Sequence, residues 1–166
     1  MKRARSFPPL ARADARVLIL GSMPGAESLR RHEYYAHPHN QFWPIMGELF
    51  AAGRELPYGE RVERLLARGV AVWDVLKHCE RPGSLDSSIV RATEVVNDFG
   101  AFFRAHPGID AIFFNGAKSE SVFRREVALP GSRAPRCTRL PSTSPAHAGL
   151  SRAAKLAAWR RIEDCL

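Results

Sequence analysis

The residues most suited to chemistry form one run, HEYYAHPHNQFWP, at 32–44. It combines three histidines, four large aromatic side chains, two prolines and one asparagine. Aromatic faces bind flat groups by stacking, a proline stiffens the backbone, and an amide both donates and accepts hydrogen bonds. Such a run packs a protein core poorly. It therefore indicates a surface on which aromatic faces, a rigid turn and the amide of Asn40 are needed side by side.

Four further segments place polar, glycine or proline residues directly after predicted strands. They are GSMPG at 21–25, WDVLKH with Asp74, NGAKS with Asn115, and STSPAHAG at 142–149. GSMPG matches neither of the glycine patterns that bind dinucleotides or nucleoside triphosphates, so both of those functions are excluded. The carboxyl ends of parallel strands meet at one edge of a sheet, and ligands bind beyond that edge. We therefore expect these segments to converge.

The elements that must position these residues alternate along the chain. Short apolar runs predict strands at 17–20, 70–76, 109–116 and from 136. Apolar residues at helical spacing predict helices from 41, over 59–69, 88–105 and 119–128, and from 151 to 166, with Val95 on the apolar face of the third. Pro44 must lie in the first turn of the helix from 41, and Ser151 is expected to cap the last helix. Phe42 and Trp43 are expected to be core residues. This alternation indicates an α/β fold, a three-layer α/β/α sandwich around a mainly parallel four-stranded sheet. We expect residues 1–166 to form one domain.

Composition narrows the class of protein. Lysine and arginine number 25 against 17 acidic residues, a net charge of +8, and arginine predominates among the basic residues. This excess favours a phosphate-facing surface for nucleic acid, although a solvated basic surface would have the same composition. Three cysteines without CxxC spacing argue against disulfides and iron–sulfur clusters and for a reducing compartment. We expect a cytoplasmic protein without a signal peptide or a membrane-spanning helix.

The combination of motifs carries a specific resemblance. A strand followed by GSMPG, then an aromatic residue with AHPHNQFW, and finally LPSTSPAHAGLSR at 140–152 resemble the uracil-DNA glycosylase superfamily. The nearest branch is that of the hypoxanthine-DNA glycosylases, which is related to the mismatch-specific uracil/thymine glycosylases. The resemblance implies a monomeric, monofunctional DNA glycosylase without cofactor or metal. Its substrate would be double- or single-stranded DNA that carries a deaminated base, hypoxanthine foremost, with uracil or xanthine as further substrates.

The resemblance also implies roles for individual residues. Asn40 would position the attacking water, and Tyr35 would stack on the flipped base; the alternatives are a helix N-cap and a core tyrosine. Ser144 and His147 would assist departure of the base. The remaining residues predicted to bind the base are Gly21, Ser22, Met23, Pro24, Gly25, Asp74 and Asn115. The residues predicted to contact DNA are Ser142, Thr143, Pro145, Arg139 and Arg152.

Two positions depart from the pattern of the superfamily. Met23 occupies the place where uracil and mismatch glycosylases carry Asp or Asn, and a thioether orients water poorly. Asp74 replaces the asparagine that reads uracil. An ionised carboxylate only accepts hydrogen bonds, so it would suit an N–H donor such as N1–H of hypoxanthine. The alternative for Asp74 is an ion pair with Lys77 or an arginine.

Three other functions compete with this hypothesis, the third being a nucleotide-binding small-molecule enzyme, which would show no salt-dependent affinity for DNA. A mismatch-specific uracil/thymine glycosylase would share the motifs, and a DNA-binding member without catalysis would fit the departure at Met23. A metal site at His37 and His39 is not expected, because their spacing matches no standard zinc pattern.

Overall fold

A computed structural model describes residues 3–129, 131 and 134–166. Its strands are β1 (Arg3–Arg5), β2 (Val17–Gly21), β3 (Val70–Asp74), β4 (Leu76–Glu80), β5 (Val95–Val96), β6 (Ala111–Asn115) and β7 (Arg136–Leu140). Its α-helices are α1 (Ala26–Arg31), α2 (Phe42–Phe50), α3 (Tyr58–Ala67), α4 (Phe99–Ala105), α5 (Ala117–Glu126) and α6 (Arg152–Trp159). Short 3-10 helices cover Asp86–Ser88, Arg91–Thr93 and Arg160–Cys165.

The central sheet has four parallel strands in the order β3–β2–β6–β7. All residues of β2, β3 and β6 are buried, as expected for parallel strands covered on both faces. Along β2, Val17 and Ile19 pack into one apolar core with α2, α3 and α6. Leu18 and Leu20 pack into a second core with α4 and α5. This alternation produces the three predicted layers.

Two predictions about the second core were wrong. The helix predicted over 88–105 begins only at Phe99, where the Asp98 side chain accepts a hydrogen bond from Ala101 N. Upstream of it, β5 pairs with β4, and β4 pairs with β1, to form a small antiparallel sheet. The helical spacing of Val95 with the later phenylalanines was misleading, because Val95 belongs to β5. The strand predicted over 70–76 likewise divides after Asp74 into β3 and β4.

Other local predictions were confirmed. Phe42 and Trp43 are fully buried core residues, and Pro44 lies in the first turn of α2, where a missing N–H costs nothing. Ser151 caps α6 by accepting a hydrogen bond from Ala154 N at 3.2 Å. Helix α1 was missed because its six residues are too few to show a periodic apolar pattern. Within the described ranges, no helix has the length and apolarity needed to cross a bilayer.

Candidate active site

A cavity of about 670 Å³ opens at the carboxyl edge of the central sheet. Every residue predicted to be catalytic or to bind the base lines it, and so do Ser142, Thr143 and Pro145. Arg139 on β7 and Arg152 at the start of α6 are exposed and lie outside the lining. Segments that are remote in the sequence therefore meet at one cavity, as the parallel topology predicted.

The first and last segments of the site are joined directly. Gln41 N, at the start of α2, donates to Thr143 O at 3.0 Å. The Asn115 amide makes two hydrogen bonds to the same residue: its Nδ2 donates to Thr143 Oγ1 and its Oδ1 accepts from Thr143 N, both at 2.9 Å. The Thr143 side chain is 0% exposed, so it anchors the loop that we predicted to contact DNA. Asn115 therefore has a structural role beside its place in the lining.

The aromatic loop before α2 is held by Arg54, which sequence analysis did not single out. Its Nη2 donates to His37 O at 2.7 Å and to Asn40 O at 3.0 Å, with Tyr35 O at 3.4 Å. Burial lowers the pKa of Arg54, as expected for a guanidinium partly removed from water. One side chain thus satisfies backbone carbonyls along the loop that carries the predicted base-stacking and water-positioning residues.

Further hydrogen bonds fix the start of the same loop. Trp43 Nε1 donates to Tyr34 O at 2.8 Å, and Tyr34 N donates to the Tyr58 hydroxyl at 3.1 Å. Ala36 N donates to Ser28 Oγ at 3.0 Å. The loop is consequently a rigid wall of the cavity.

Tyr35 has features of both roles predicted for it, a core residue and a residue that stacks on the base. Its ring stacks on Phe42 with centroids 4.0 Å apart, while the side chain also lines the cavity. Its backbone has φ +55°, a left-handed conformation that is costly for a residue with a Cβ. The hydroxyl is buried without a hydrogen-bond partner among the described residues, and burial raises its pKa far above the ordinary value. A strained residue with an unpaired polar atom at a cavity is a candidate for ligand contact.

Asn40 directly precedes Gln41, the N-cap residue of α2; it binds the first N–H group of that helix and still lines the cavity. Its Oδ1 accepts a hydrogen bond from Phe42 N at 2.9 Å, in the first turn of α2. The cap uses one lone pair of the amide oxygen and leaves the Nδ2 donors free of that bond. The capping and water-positioning roles are therefore compatible.

The GSMPG turn is anchored through its carbonyl groups. Val75 N donates to Gly21 O at 2.8 Å, and Leu76 N donates to Ser22 O at 3.1 Å. Arg81 Nη2 donates to Pro24 O at 2.6 Å. Met23 is buried in the second apolar core, so its thioether packs rather than handles water. These hydrogen bonds hold the turn in place along the cavity that it lines.

Asp74 ends β3 at the inner end of the cavity and is 3% exposed. Burial, and to a smaller extent the nearby Asp86, raise the pKa of its carboxyl group to about 7 against the opposing effect of Arg81. Among the described residues, Oδ2 has no hydrogen-bond partner. Arg81 donates to Gly83 O and Pro24 O rather than to this carboxyl group. The carboxylate and the neutral acid are therefore both accessible at neutral pH, and the role of an ionised Asp74 stays a prediction.

Gly21 provides the space for this arrangement. It lies beside Asp74 in the register of β2 and β3. A Cβ at residue 21 would lie 2.5 Å from Asp74 Oδ1 and 2.8 Å from the Tyr35 hydroxyl. Any other residue would displace one of these polar groups. The glycine therefore allows the carboxyl and the hydroxyl to share the inner end of the cavity.

The last loop, 142–147, is shaped by short local hydrogen bonds. Ser142 Oγ accepts from Ser144 N at 3.1 Å, and Ser144 Oγ accepts from Ala146 N at 3.2 Å. His147 is exposed, and its carbonyl oxygen accepts from Lys155 Nζ at 2.6 Å. Lys155 is 1% exposed, so α6 holds the loop through a buried cation. The hydroxyls and His147 line the mouth of the cavity.

Several residues of the site were missed by sequence analysis. Asp86 lines the cavity and accepts a hydrogen bond from Ser22 Oγ at 2.6 Å. It lies in the segment RPGSLDSS, whose glycine, proline and serine content predicted a loop without indicating a partner. Arg54, Arg81 and Lys155 belong to no motif. Their roles come from backbone carbonyls that no local pattern identifies.

The histidines of the aromatic loop do not form a metal centre. His37 Nδ1 accepts a hydrogen bond from His39 N at 3.1 Å, and the two ring centroids are 5.7 Å apart. In the part of the chain that the structure describes, no three His, Cys, Asp or Glu residues are grouped closely enough to hold a metal ion.

Comparisons with known proteins agree with this architecture. A family model described as the Uracil DNA glycosylase superfamily matches residues 8–163. A protein of Methanosarcina barkeri named Hypoxanthine DNA glycosylase is 36% identical over 118 residues, 70% of this chain and 73% of that protein. A protein of the same name from Methanosarcina acetivorans is 35% identical over 116 residues, 69% of this chain and 72% of that protein.

A solved structure supports the same assignment. The solution NMR structure of a candidate uracil DNA glycosylase from Methanosarcina acetivorans is similar, with a TM-score of 0.75 and 30% identity. The similarity covers 98% of this chain and 99% of that one. With a family match from residue 8 to residue 163 and relatives at 35–36% identity, the chain belongs to the uracil DNA glycosylase superfamily.

Proposed function

We propose that this protein is a monofunctional DNA glycosylase that excises deaminated bases, with hypoxanthine as the principal substrate and uracil or xanthine as further ones. The names of the two Methanosarcina relatives support the choice of hypoxanthine. The observation that carries the proposal is the convergence of Tyr35, Asn40, Asp74 and the 142–147 loop on one cavity. We also propose that residues 1–166 act as a single domain and as a monomer.

Recognition begins when the damaged nucleotide turns out of the DNA and its base enters the cavity. The face of Tyr35 opposite Phe42 stacks on the base, an interaction worth about 1–3 kcal/mol. Asp74 and the N–H groups of GSMPG bind the edge of the base at the inner end. Ser142 and Pro145, with Arg139 and Arg152 outside the cavity, contact the DNA backbone, whereas Thr143, which was also predicted to do so, is buried and holds their loop in place. The net charge of +8 favours such phosphate contacts.

Hydrolysis then breaks the bond between C1′ and the base nitrogen. The bonding electrons leave with the base, and positive charge develops on the sugar. A water positioned by Asn40 adds to C1′ and releases its proton to solvent. Hydroxyl and imidazole groups of Ser144 and His147 stabilise the departing base, which carries negative charge until it is protonated.

Strand cleavage by an amine is not part of the proposed reaction. Such chemistry needs a neutral lysine amine that can attack C1′. Lys118 lines the cavity, but its Nζ is paired with Glu94 at 2.5 Å, and Arg125 binds the other oxygen of the same carboxylate. This ion pair already engages the Lys118 nitrogen, which supports a monofunctional enzyme.

The proposal is tested by measuring single-turnover excision from duplexes that carry inosine, uracil, xanthine or a T·G mismatch. We expect the highest rate on inosine. Asn40→Ala should lower that rate at least tenfold, about 1.4 kcal/mol of barrier, while DNA affinity is largely kept. Unchanged turnover in this variant would remove the water-positioning role.

Asp98→Ala is the matched control. Asp98 also caps a helix, accepting a hydrogen bond from Ala101 N at 3.0 Å, so its loss costs about 1 kcal/mol of stability. It does not line the cavity, and excision should be unchanged. A preference for the T·G duplex would instead identify a mismatch-specific enzyme. Binding of the inosine duplex without any abasic product would identify a DNA-binding protein that lacks catalysis.

A further inference from the structure

The inner end of the cavity contains two buried polar atoms without hydrogen-bond partners among the described residues. They are Asp74 Oδ2 and the Tyr35 hydroxyl oxygen. Buried polar groups in proteins are normally paired, and each exception requires a physical explanation. Both side chains line the cavity, and both lie against the space left free by Gly21. The simplest explanation is that a bound ligand completes this polar end.

The surroundings of Asp74 disfavour a negative charge. Its carboxyl group is nearly inaccessible to solvent, and the Asp86 carboxylate faces the same cavity. Arg81 is the cation that counteracts these effects. Its Nε and Nη2 donate to the carbonyl groups of Gly83 and Pro24, and its Nη1 has no hydrogen-bond partner among the described residues, so Arg81 gives Asp74 no hydrogen bond. A buried carboxylate without a paired cation is costly, whereas the neutral acid avoids most of that cost.

We propose that Asp74 binds the base as a neutral carboxylic acid, whose O–H donates to the carbonyl oxygen of the base while its C=O accepts the adjacent ring N–H. This inference deepens the proposed function and rests on it. It defines the substrate class as bases with an N–H next to a C=O along one edge. Hypoxanthine has this edge at N1–H and O6, and uracil and xanthine have equivalent edges.

The chemistry of both partners supports this pairing. An ionised carboxylate has no donor, so it would place negative charge against the carbonyl oxygen of the base. A neutral acid supplies one donor and one acceptor, as does the asparagine of the uracil-reading members that Asp74 resembles in position. Its O–H also stabilises the negative charge that spreads onto the carbonyl oxygen as the glycosidic bond breaks. Asp74 would therefore contribute to both recognition and departure of the base.

The protonation state of Asp74 depends on groups from every element packed around it. The charged or titratable side chains that act on Asp74 or line the same cavity are Glu27, Tyr34, Tyr35, His37, Arg81, Asp86, Lys118 and His147. The pKa of about 7 for Asp74 predicts that its neutral form predominates below neutral pH and is lost above it. The other groups can also titrate, so the test needs a variant that removes the Asp74 titration alone.

Asp74→Asn is that variant, because an amide keeps a donor and an acceptor but cannot ionise. Single-turnover kcat/KM on an inosine duplex is measured from pH 6 to pH 9. We expect the wild type to lose about tenfold per pH unit above pH 7, since the neutral fraction falls in that proportion. Asp74→Asn should remain within about tenfold of the wild-type rate at pH 6 and change less than about threefold over the range.

Glu48→Gln is the matched control for replacing a carboxylate by an amide. Glu48 is exposed on α2 and does not line the cavity, so the variant should keep the wild-type pH profile. The inference is overturned if Asp74→Asn follows the same pH profile as the wild type, or if wild-type excision rises through pH 7. It is also overturned if the amide variant folds but does not excise hypoxanthine at pH 6.

Wild-type protein provides a measurement that does not depend on the variant. Infrared difference spectra with ¹³C-labelled aspartate, on a non-cleavable 2′-fluoro-inosine duplex, should show a neutral carboxyl band at pH 6. Absence of that band in the complex would overturn the inference. Failure of the proposed function would look different, since the wild type would then excise no base from any duplex at any pH.

Discussion

Two regions of the cavity differ in how their polar groups are paired: the wall formed by the backbone of 34–40, and the inner end around Asp74. In the wall, the backbone groups of Tyr34, Ala36, His37 and Asn40 have side-chain partners. At the inner end, Asp74 Oδ2 and the Tyr35 hydroxyl lack partners among the described residues. The backbone groups of the wall are paired within the protein, although Arg54 Nε beside them has no partner among the described residues, whereas we infer that the inner end is completed by the bound base.

Two kinds of buried residue can thus be told apart: those whose polar atoms bond to other buried groups, and those whose polar atoms have no partner. Removing a group that satisfies others leaves buried polar atoms without partners, which costs about 1–3 kcal/mol for each atom. Removing a group that has no partner breaks no hydrogen bond and relieves its desolvation. Stability measurements on the protein without DNA therefore distinguish the two regions.

The largest expected effect is on the pH dependence of stability, and Asp74→Asn at the inner end of the cavity tests it. The folded pKa of about 7 lies above the ordinary 3.8, a difference of about three units, or about 4 kcal/mol as an upper limit. A raised folded pKa gives stability that is complete below the unfolded pKa and is lost as pH rises through the folded pKa. Wild type should therefore lose stability relative to Asp74→Asn between pH 4 and pH 8.

Thermal unfolding of both proteins across this range measures the difference. The change in their relative Tm should amount to several degrees. Glu48→Gln, with its exposed carboxylate, should show no such trend against the wild type. A constant difference between wild type and Asp74→Asn at all pH values would mean that the buried carboxyl group titrates normally.

A smaller effect is expected in the wall, through Arg54→Met. The substitution keeps apolar volume but removes the donor to His37 O and Asn40 O. We expect a loss of about 2–3 kcal/mol, because hydrogen bonds from charged groups are stronger than average. Urea denaturation measures the free energy of unfolding.

Arg68→Met is the control for the wall. Arg68 is exposed, and its guanidinium lies 5.2 Å from the Phe50 ring, so its removal should cost less than about 1 kcal/mol. If Arg54→Met and Arg68→Met lowered the free energy of unfolding equally, Arg54 would not stabilise the aromatic loop before α2.

The smallest expected effect is on the free energy of unfolding when the hydroxyl group of Tyr34 or Tyr35 is removed. The Tyr34 hydroxyl donates to Pro8 O at 2.9 Å, whereas the Tyr35 hydroxyl has no partner among the described residues. Tyr34→Phe should destabilise by about 1 kcal/mol, and Tyr35→Phe should change stability by less than about 0.5 kcal/mol. Denaturation of the two variants in parallel measures both values. An equal loss in Tyr35→Phe would reveal a hydrogen bond from its hydroxyl, with Asn115 as the nearby candidate.

Much of the fold was predictable because its signals are local. Continuous apolar runs predicted β2, β3 and β6, and the periodic residues of α2 predicted the burial of Phe42 and Trp43. The small sheet of β1, β4 and β5 was not predictable in this way. Its strands are short, and β5 has only two residues. The pairing of β1 with β4 joins residues more than 70 positions apart, such as Arg3 and Glu80.

The residues of the candidate site likewise include some that local motifs predicted and others that they did not. Motifs singled out Asn40, Tyr35 and the 142–147 loop, and parallel topology predicted that the segments after the strands converge. No motif pointed to Arg54, Asp86 or Lys155, because each acts on chain segments far from it in sequence. The exposed Arg139 and Arg152 remain predictions, since their proposed partner is DNA.

The amino-acid sequence by itself determined the order of elements, the residue types at the strand ends and the family resemblance, because these depend on neighbours along the chain. The tertiary structure decided which polar groups are paired and which are left open. That difference arises from burial and distance, which the chain acquires only when β2, β3 and the loops around them pack together. It is also why Asp74, read from the sequence as an ordinary carboxylate, acquires the pKa of a group near neutrality in the folded protein.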